Sequence, residues 1–134
     1  MTSVTPSRAL AKARNPACYG RSVPPAEPSL ERGLALIRAR EYFAAHEELE
    51  DVWRAASDEE RDFFQGLVHV AVAWYQAGRG NRVGCERQLE KAQRRLDPYR
   101  PSHRGVDLER LLGSVREAAE TVDADSLELP DPAI

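Results

Sequence analysis

The chain has 134 residues, 42% hydrophobic and 31% charged, a composition typical of a globular domain with one hydrophobic core. Its formal charge of −3 gives no bulk attraction to nucleic acid, and its longest uncharged run, residues 63–78, is too short to cross a bilayer. The composition therefore excludes a membrane-spanning helix and does not favour a nucleic-acid-binding protein.

Residues 1–28 have the composition of a tail. They hold five prolines and four bases against the single acid Glu27, so they cannot bury enough apolar surface to order themselves. We predict a basic tail that is either disordered or pinned along the domain surface. The segment lacks the apolar run of a secretory signal, which predicts a cytoplasmic location, and Cys18 and Cys85 are then expected to be reduced thiols.

Helical periodicity dominates the rest of the chain. Apolar residues recur every three or four positions and no alternating run indicates a strand, which predicts an all-helical domain. Ser29, Ser57 and Asn81 are predicted helix N-caps. The five predicted helices cover about residues 29–40, 41–55, 58–77, 82–96 and 106–121. The expected fold is an all-α, single-domain bundle of about five antiparallel helices over residues 29–122, followed by an acidic tail at 123–134.

The third helix is predicted to be the buried centre of this bundle. Residues 63–75 include no charged side chain, and a helix that is apolar all round is a buried one. Within it only Gln65 and His69 are strongly polar. They are four residues apart and therefore share one face of the helix.

The second helix carries a matching polar pair, His46 and Glu50, also four residues apart. The connection at about residues 57–58 is short enough to make helices two and three an antiparallel hairpin. Residues equally far from the turn then lie at the same height, so that His46 faces His69 and Glu50 faces Gln65. We predict a polar cluster of these four side chains within an apolar hairpin.

Three interpretations of the cluster stay open, because buried polar groups must satisfy one another or bind something else. The first is a structural hydrogen-bond network in which Arg54 or Arg61 neutralises Glu50. The second is a divalent-metal site, since two histidines and a glutamate are ligands that zinc, iron or manganese accepts. The third is a catalytic site without metal, with Glu50 or His46 as the base.

The order of several motifs resembles a known family. The chain reads FAAHEELEDVWR, then RDFFQGLVHVAVA, then GNRVGCERQLEKA, similar to the small bacterial and archaeal domain-of-unknown-function family 309. The family's His-x3-Glu-x2-Trp-Arg, Gln-Gly and Gly-Asn-x-x-Gly elements correspond to His46, Glu50, Trp53, Arg54, Gln65, Gly66, Gly80, Asn81 and Gly84. The resemblance covers roughly residues 30–97. The resemblance implies a compact all-helical fold and, at most, metal-dependent hydrolase activity. In this family the position of His69 is often glutamine, so a metal site shared by the family would have His46 and Glu50 as its strong ligands.

The other motif residues also have structural interpretations. Gly66 and Gly84 suit close helix packing, Trp53 suits the core, and Arg54 suits a surface salt bridge. The bases of the fourth helix lack interleaved aromatic residues, so we interpret them as a solvated face rather than a nucleic-acid surface. The alternative to an enzyme is then a helical interaction module that binds a protein partner or a second copy of the chain, with the polar cluster fixing helix register.

Overall fold

Helices account for most of the structure. The computed structural model describes residues 27–134, so the predicted basic tail, including Cys18, lies outside the described residues except for its last two positions. Within the described range there are five α-helices: α1 Leu30–Arg38, α2 Tyr42–Arg54, α3 Asp58–Gly78, α4 Arg82–Leu96 and α5 Leu108–Asp123. The predicted all-α bundle is confirmed. None of these helices is long and apolar enough to span a membrane.

Side-chain caps define several helix starts. Ser29 Oγ accepts a hydrogen bond from Arg32 N at the start of α1, and Asn81 Oδ1 accepts from Gly84 N at 2.9 Å at the start of α4. Such bonds satisfy amide groups that have no partner within the helix. Ser57 precedes α3 but makes no capping bond through its side chain. Three acidic residues in the first turn of α3 complement the positive end of the helix dipole instead.

Helix α3 is the centre of the bundle, as its apolar sequence predicts. It packs between α2 and α4, and ten of its residues are buried. The contact with α4 is very close, because a Cβ atom built on Gly66 would lie 2.5 Å from Leu96 Cγ. On another side, the ring of Phe63 lies against Tyr99 and His103. Gly66 therefore has the packing role that its lack of a side chain suggested.

The connection between α4 and α5 contains the one region of strand in the described residues. After a 3₁₀ turn at Asp97–Tyr99, β1 (Ser102–His103) pairs antiparallel with β2 (Val106–Asp107). Arg104 and Gly105, with φ of 49° and 79°, form the two-residue loop, the conformation that joins the strands of a tight hairpin. The expectation of no strand was wrong here, and α5 starts two residues later than predicted because Asp107 is its cap.

The segment after α5 lies along the helices without regular secondary structure. Pro130 O accepts a hydrogen bond from Trp74 Nε1 at 2.9 Å, Asp131 pairs with Arg40 at 2.7 Å, and the terminal Ile134 packs against the core. The acidic tail predicted at 123–134 thus covers part of α3. The predicted domain boundaries themselves stay a prediction.

Candidate functional site

One stripe of α3 is left partly open between α2 and α4. Arg61, Gln65, His69 and Val72 recur every three or four residues and are half-buried, whereas nearly all residues between them are buried. Half-buried side chains of α2 and α4 border this stripe. We call the following set the polar face: His46, Glu50 and Trp53 of α2, Arg61, Gln65 and His69 of α3, and Gln88, Lys91 and Arg95 of α4. It includes all four residues of the predicted cluster.

On the α2 side, His46 and Glu50 pair along their own helix. His46 Nε2 lies 3.4 Å from Glu50 Oε2, and these side chains are 24% and 36% exposed. Arg54 Nη2 approaches the other Glu50 oxygen at 3.3 Å, while Arg54 Nη1 pairs with Asp51 at 2.7 Å. The ring of Phe43 lies beside the His46 ring, with centroids 5.4 Å apart. Glu50 is therefore a partly solvated carboxylate that already has a guanidinium partner.

His69 turns away from this pair towards α4. Its Nδ1 lies 2.7 Å from Gln88 Oε1. Because that amide oxygen can only accept, Nδ1 carries the proton, and the neutral ring presents Nε2 as an acceptor. Burial lowers the pKa of His69. The hydrogen bond to Gln88 raises this pKa, but the neighbouring positive charges of Arg95 and Lys91 lower it further. His69 is therefore harder to protonate than a histidine in water.

The predicted rungs, His46 with His69 and Glu50 with Gln65, are not joined by hydrogen bonds. Within residues 27–134 no hydrogen bond joins the four side chains across the α2–α3 hairpin; His46 pairs with Glu50, and His69 pairs with Gln88. The hairpin itself is antiparallel, since Trp53 contacts Arg61 near the turn. The prediction considered α2 and α3 alone, whereas α4 supplies the partner for His69.

The described residues contain no group of three or more His, Cys, Asp or Glu side chains placed to hold a metal ion. Among the expected ligands, His46 lies 3.4 Å from Glu50, while His69 pairs with Gln88 instead. Cys85 of α4 is fully buried. Burial raises the pKa of its thiol to about 11, so it is protonated at neutral pH and is neither a ready nucleophile nor a ready ligand.

Three buried nitrogen atoms have no hydrogen-bond partner among the described residues, and all three belong to the polar face. They are Trp53 Nε1, His69 Nε2 and Arg95 Nε, one from each of α2, α3 and α4. The sequence singled out Trp53 and His69, but it missed Arg95 and Gln88. The available signal was the spacing of Gly84, Gln88, Lys91 and Arg95, which puts them on one side of α4.

The glycine-rich motif residues build the turn between α3 and α4. Gly80 has a φ of 76°, a conformation that favours glycine. Asn81 caps α4 and also donates from Nδ2 to Gln76 Oε1 at 3.0 Å. A Cβ atom on Gly84 would lie 2.7 Å from Asn81 Nδ2. Asn81 and Gly84 therefore fix the entry of α4 beside α3.

Comparison with known proteins gives a family but no activity. The family model described as "Domain of unknown function (DUF309)" matches residues 30–88. The chain is also 35% identical over 101 residues to "Uncharacterized protein YpuF" of Bacillus subtilis (strain 168). That match covers 68% of this chain and 56% of the relative, so the chain spans little more than half of the relative's length. No solved structure matches the chain.

Proposed function

Residues 30–88 belong to the family described as "Domain of unknown function (DUF309)", whose description gives no activity. We propose from the geometry that this domain is a binding module that holds a segment of a protein partner on its polar face. The observation that carries the proposal is the open stripe of α3 between α2 and α4. His69 has a structural partner in Gln88, and Trp53 Nε1, His69 Nε2 and Arg95 Nε are buried without a hydrogen-bond partner among the described residues.

The side chains around the polar face are of the types that dominate protein interfaces. Aromatic residues and arginine are enriched there and carry much of the binding energy. Trp53 lies under the Arg61 guanidinium, 4.7 Å from the ring centroid. At the other end of α2, the Phe43 ring contacts Tyr75 of α3 with centroids 5.3 Å apart and is itself 50% exposed.

A second exposed apolar residue lies at the same end of the bundle. Val83, in the first turn of α4, is 57% exposed, and it and Phe43 are the exposed large hydrophobic side chains among the described residues. The first turns of α2 and α4 both flank the last turn of α3, because the three helices are antiparallel neighbours. A partner segment could therefore meet apolar side chains at this end and polar ones along the middle.

The competing proposal, a metal-dependent hydrolase, is supported less well. Glu50 already interacts with Arg54, and Arg95 and Lys91 place positive charge near His69. Positive charges beside the candidate ligands oppose a divalent cation. Metal content of untagged protein, measured by mass spectrometry for wild type and His46→Ala, decides between the two. Stoichiometric metal in wild type that is lost in the variant would overturn the binding-module proposal.

Site-specific photo-crosslinking tests the binding module directly. A benzophenone amino acid replaces Lys91 on the polar face or, as the control, the exposed Glu117 on α5, in cells that express the chain natively. We expect a discrete adduct from position 91 alone, and we expect it to disappear when Phe43→Ser is added. Equal adducts from both positions, or an adduct that is indifferent to Phe43→Ser, would contradict the proposal.

A further inference from the structure

We propose that the Trp53 end of the polar face is an oxyanion site, which takes a carboxylate or phosphate group carried by the bound partner. The inference rests on the proposed function and deepens it, because it names the chemistry of the group that binds. It depends on two unpaired donors, one stacked cation and the prior pairing of the nearby carboxylates.

Trp53 supplies the first donor. An indole N–H can only donate, and Trp53 Nε1 is buried without an acceptor in the described residues. The chain has two tryptophans, and the other one behaves differently, because Trp74 Nε1 donates to Pro130 O at 2.9 Å. A buried donor without an acceptor is unfavourable. An oxygen atom of a bound group would accept a hydrogen bond from Trp53 Nε1 and remove this unfavourable contribution.

Arg95 supplies the second donor at the same end of α3. Its Nη1 pairs with Asp62 at 2.7 Å, while its Nε is buried and unpartnered. Asp62 follows Arg61, which contacts Trp53. The side chains of Trp53 and Arg95 therefore approach consecutive residues of α3 from opposite neighbouring helices, which places both unused donors near the first turns of α3.

Arg61 supplies the available positive charge at this end. Its guanidinium lies on the indole ring rather than on a carboxylate of the described residues. Of the nearby acids, Asp62 pairs with Arg95 and Glu50 with Arg54, while Asp58 and Glu59 in the first turn of α3 are exposed to solvent. Ionised carboxylate and phosphate oxygens accept hydrogen bonds, and they bind most strongly to charged donors. Arg61 can swing from the ring to such a group and expose the indole edge.

The two indole N–H signals report on this directly. In a proton–nitrogen correlation spectrum of the uniformly labelled chain, the α-amide of N-acetylglutamate or inorganic phosphate is added at constant ionic strength, with the α-amide of N-acetylglutamine as the uncharged control. We expect a saturable shift of the Trp53 signal with an anion, none with the uncharged amide, and no shift of Trp74. A stronger response to phosphate indicates a phosphorylated partner, and a stronger response to the N-acetylglutamate amide indicates an acidic one.

A pair of variants makes the test specific. Arg61→Gln should weaken anion binding about tenfold, the loss expected for one charged hydrogen-bonding group, whereas Arg116→Gln on the exposed side of α5 should leave it unchanged. The unshifted Trp74 signal reports that each variant is folded. A static Trp53 signal, equal shifts at both indoles, or undiminished binding by Arg61→Gln would overturn the oxyanion site.

The outcome separates this inference from the proposed function. Partner adducts at position 91 together with a static Trp53 signal would keep the binding module and remove the oxyanion site. A saturable Trp53 shift with no partner adduct would keep the oxyanion site and assign it to a free small molecule instead of a protein segment.

Discussion

The close contact between α3 and α4 can be tested at a single atom by the substitution Gly66→Ala. The added Cβ would lie 2.5 Å from Leu96 Cγ and 2.6 Å from Leu96 Cδ2, and Leu96 is fully buried, so it has little room to move. Overpacking of this kind costs about 1–3 kcal/mol, while replacing glycine by alanine in a helix returns about 0.5–1 kcal/mol. We expect a net loss of about 1–2 kcal/mol in the free energy of unfolding.

Gly113 of α5 provides a matched control. The same Cβ at Gly113 would meet nothing nearer than Arg116 Nη2 at 3.9 Å, so Gly113→Ala should stabilise the domain by about 0.5–1 kcal/mol through helix propensity alone. Urea unfolding followed by circular dichroism measures both. If Gly66→Ala is as stable as wild type, or gains as much as Gly113→Ala, then α3 and α4 do not approach as closely as described, and the placement of His69 against Gln88 loses its basis.

Three further outcomes follow from individual contacts. Hydrogen bonds from Arg104, and then His103, lower the pKa of Glu60 from 4.5 to about 2. The carboxylate therefore adds stability above pH 4.5 that is lost as pH falls towards 2. The difference in the free energy of unfolding between wild type and Glu60→Gln should be about 1 kcal/mol at pH 6 and smaller at pH 3. A difference that does not change with pH would refute this origin. Cys85 should resist alkylation by iodoacetamide in the native protein at pH 8 and react only in urea, because burial raises the pKa of its thiol to about 11. Peptide mass mapping measures the labelling. Rapid labelling of the native protein would show that Cys85 is not buried by α4 packing as described. Asp107→Ala should lower the free energy of unfolding by about 1 kcal/mol, because Asp107 Oδ1 caps α5 by accepting a hydrogen bond from Arg110 N. Ser57→Ala removes no capping bond and should leave urea unfolding nearly unchanged. Equal effects of the two substitutions would contradict the cap assignment.

The helices were predictable because their signals are local. The uncharged stretch of α3 follows from one short run of sequence, and Asn81 is a cap that sequence alone can recognise. The β1–β2 hairpin was not predictable in the same way, because two strands of two residues each are too short to show an alternating pattern. Its remaining signal was the glycine at position 105, in the left-handed conformation that the tight loop requires.

The sequence singled out His46, Glu50, Gln65 and His69 of the polar face, but it did not predict the pairing of His69 with Gln88. The spacing of His46 with Glu50 and of Gln65 with His69 correctly indicated one shared face on each helix. How far α3 is rotated about its axis depends on its contact with α4, where Gly66 admits Leu96. That contact joins residues 30 positions apart in the chain, and no periodicity within either helix reports it. Gln88 and Arg95 were missed for the same reason.

The electrostatic surroundings decide between a cation and an anion for the same set of residues. Histidine and glutamate alone would suggest a metal ion, and this is the inference that composition supports. The structure adds Arg54 to Glu50 and places Lys91 and Arg95 near His69. A divalent cation would have to displace or withstand these charges, whereas an anion would be attracted mainly by Lys91 and Arg61, because Arg54 and Arg95 are already paired with carboxylates. Since Trp53 and Arg95 also hold donors without acceptors, the anion that we propose, which accepts hydrogen bonds, suits the unused donors at the Trp53 end of the polar face.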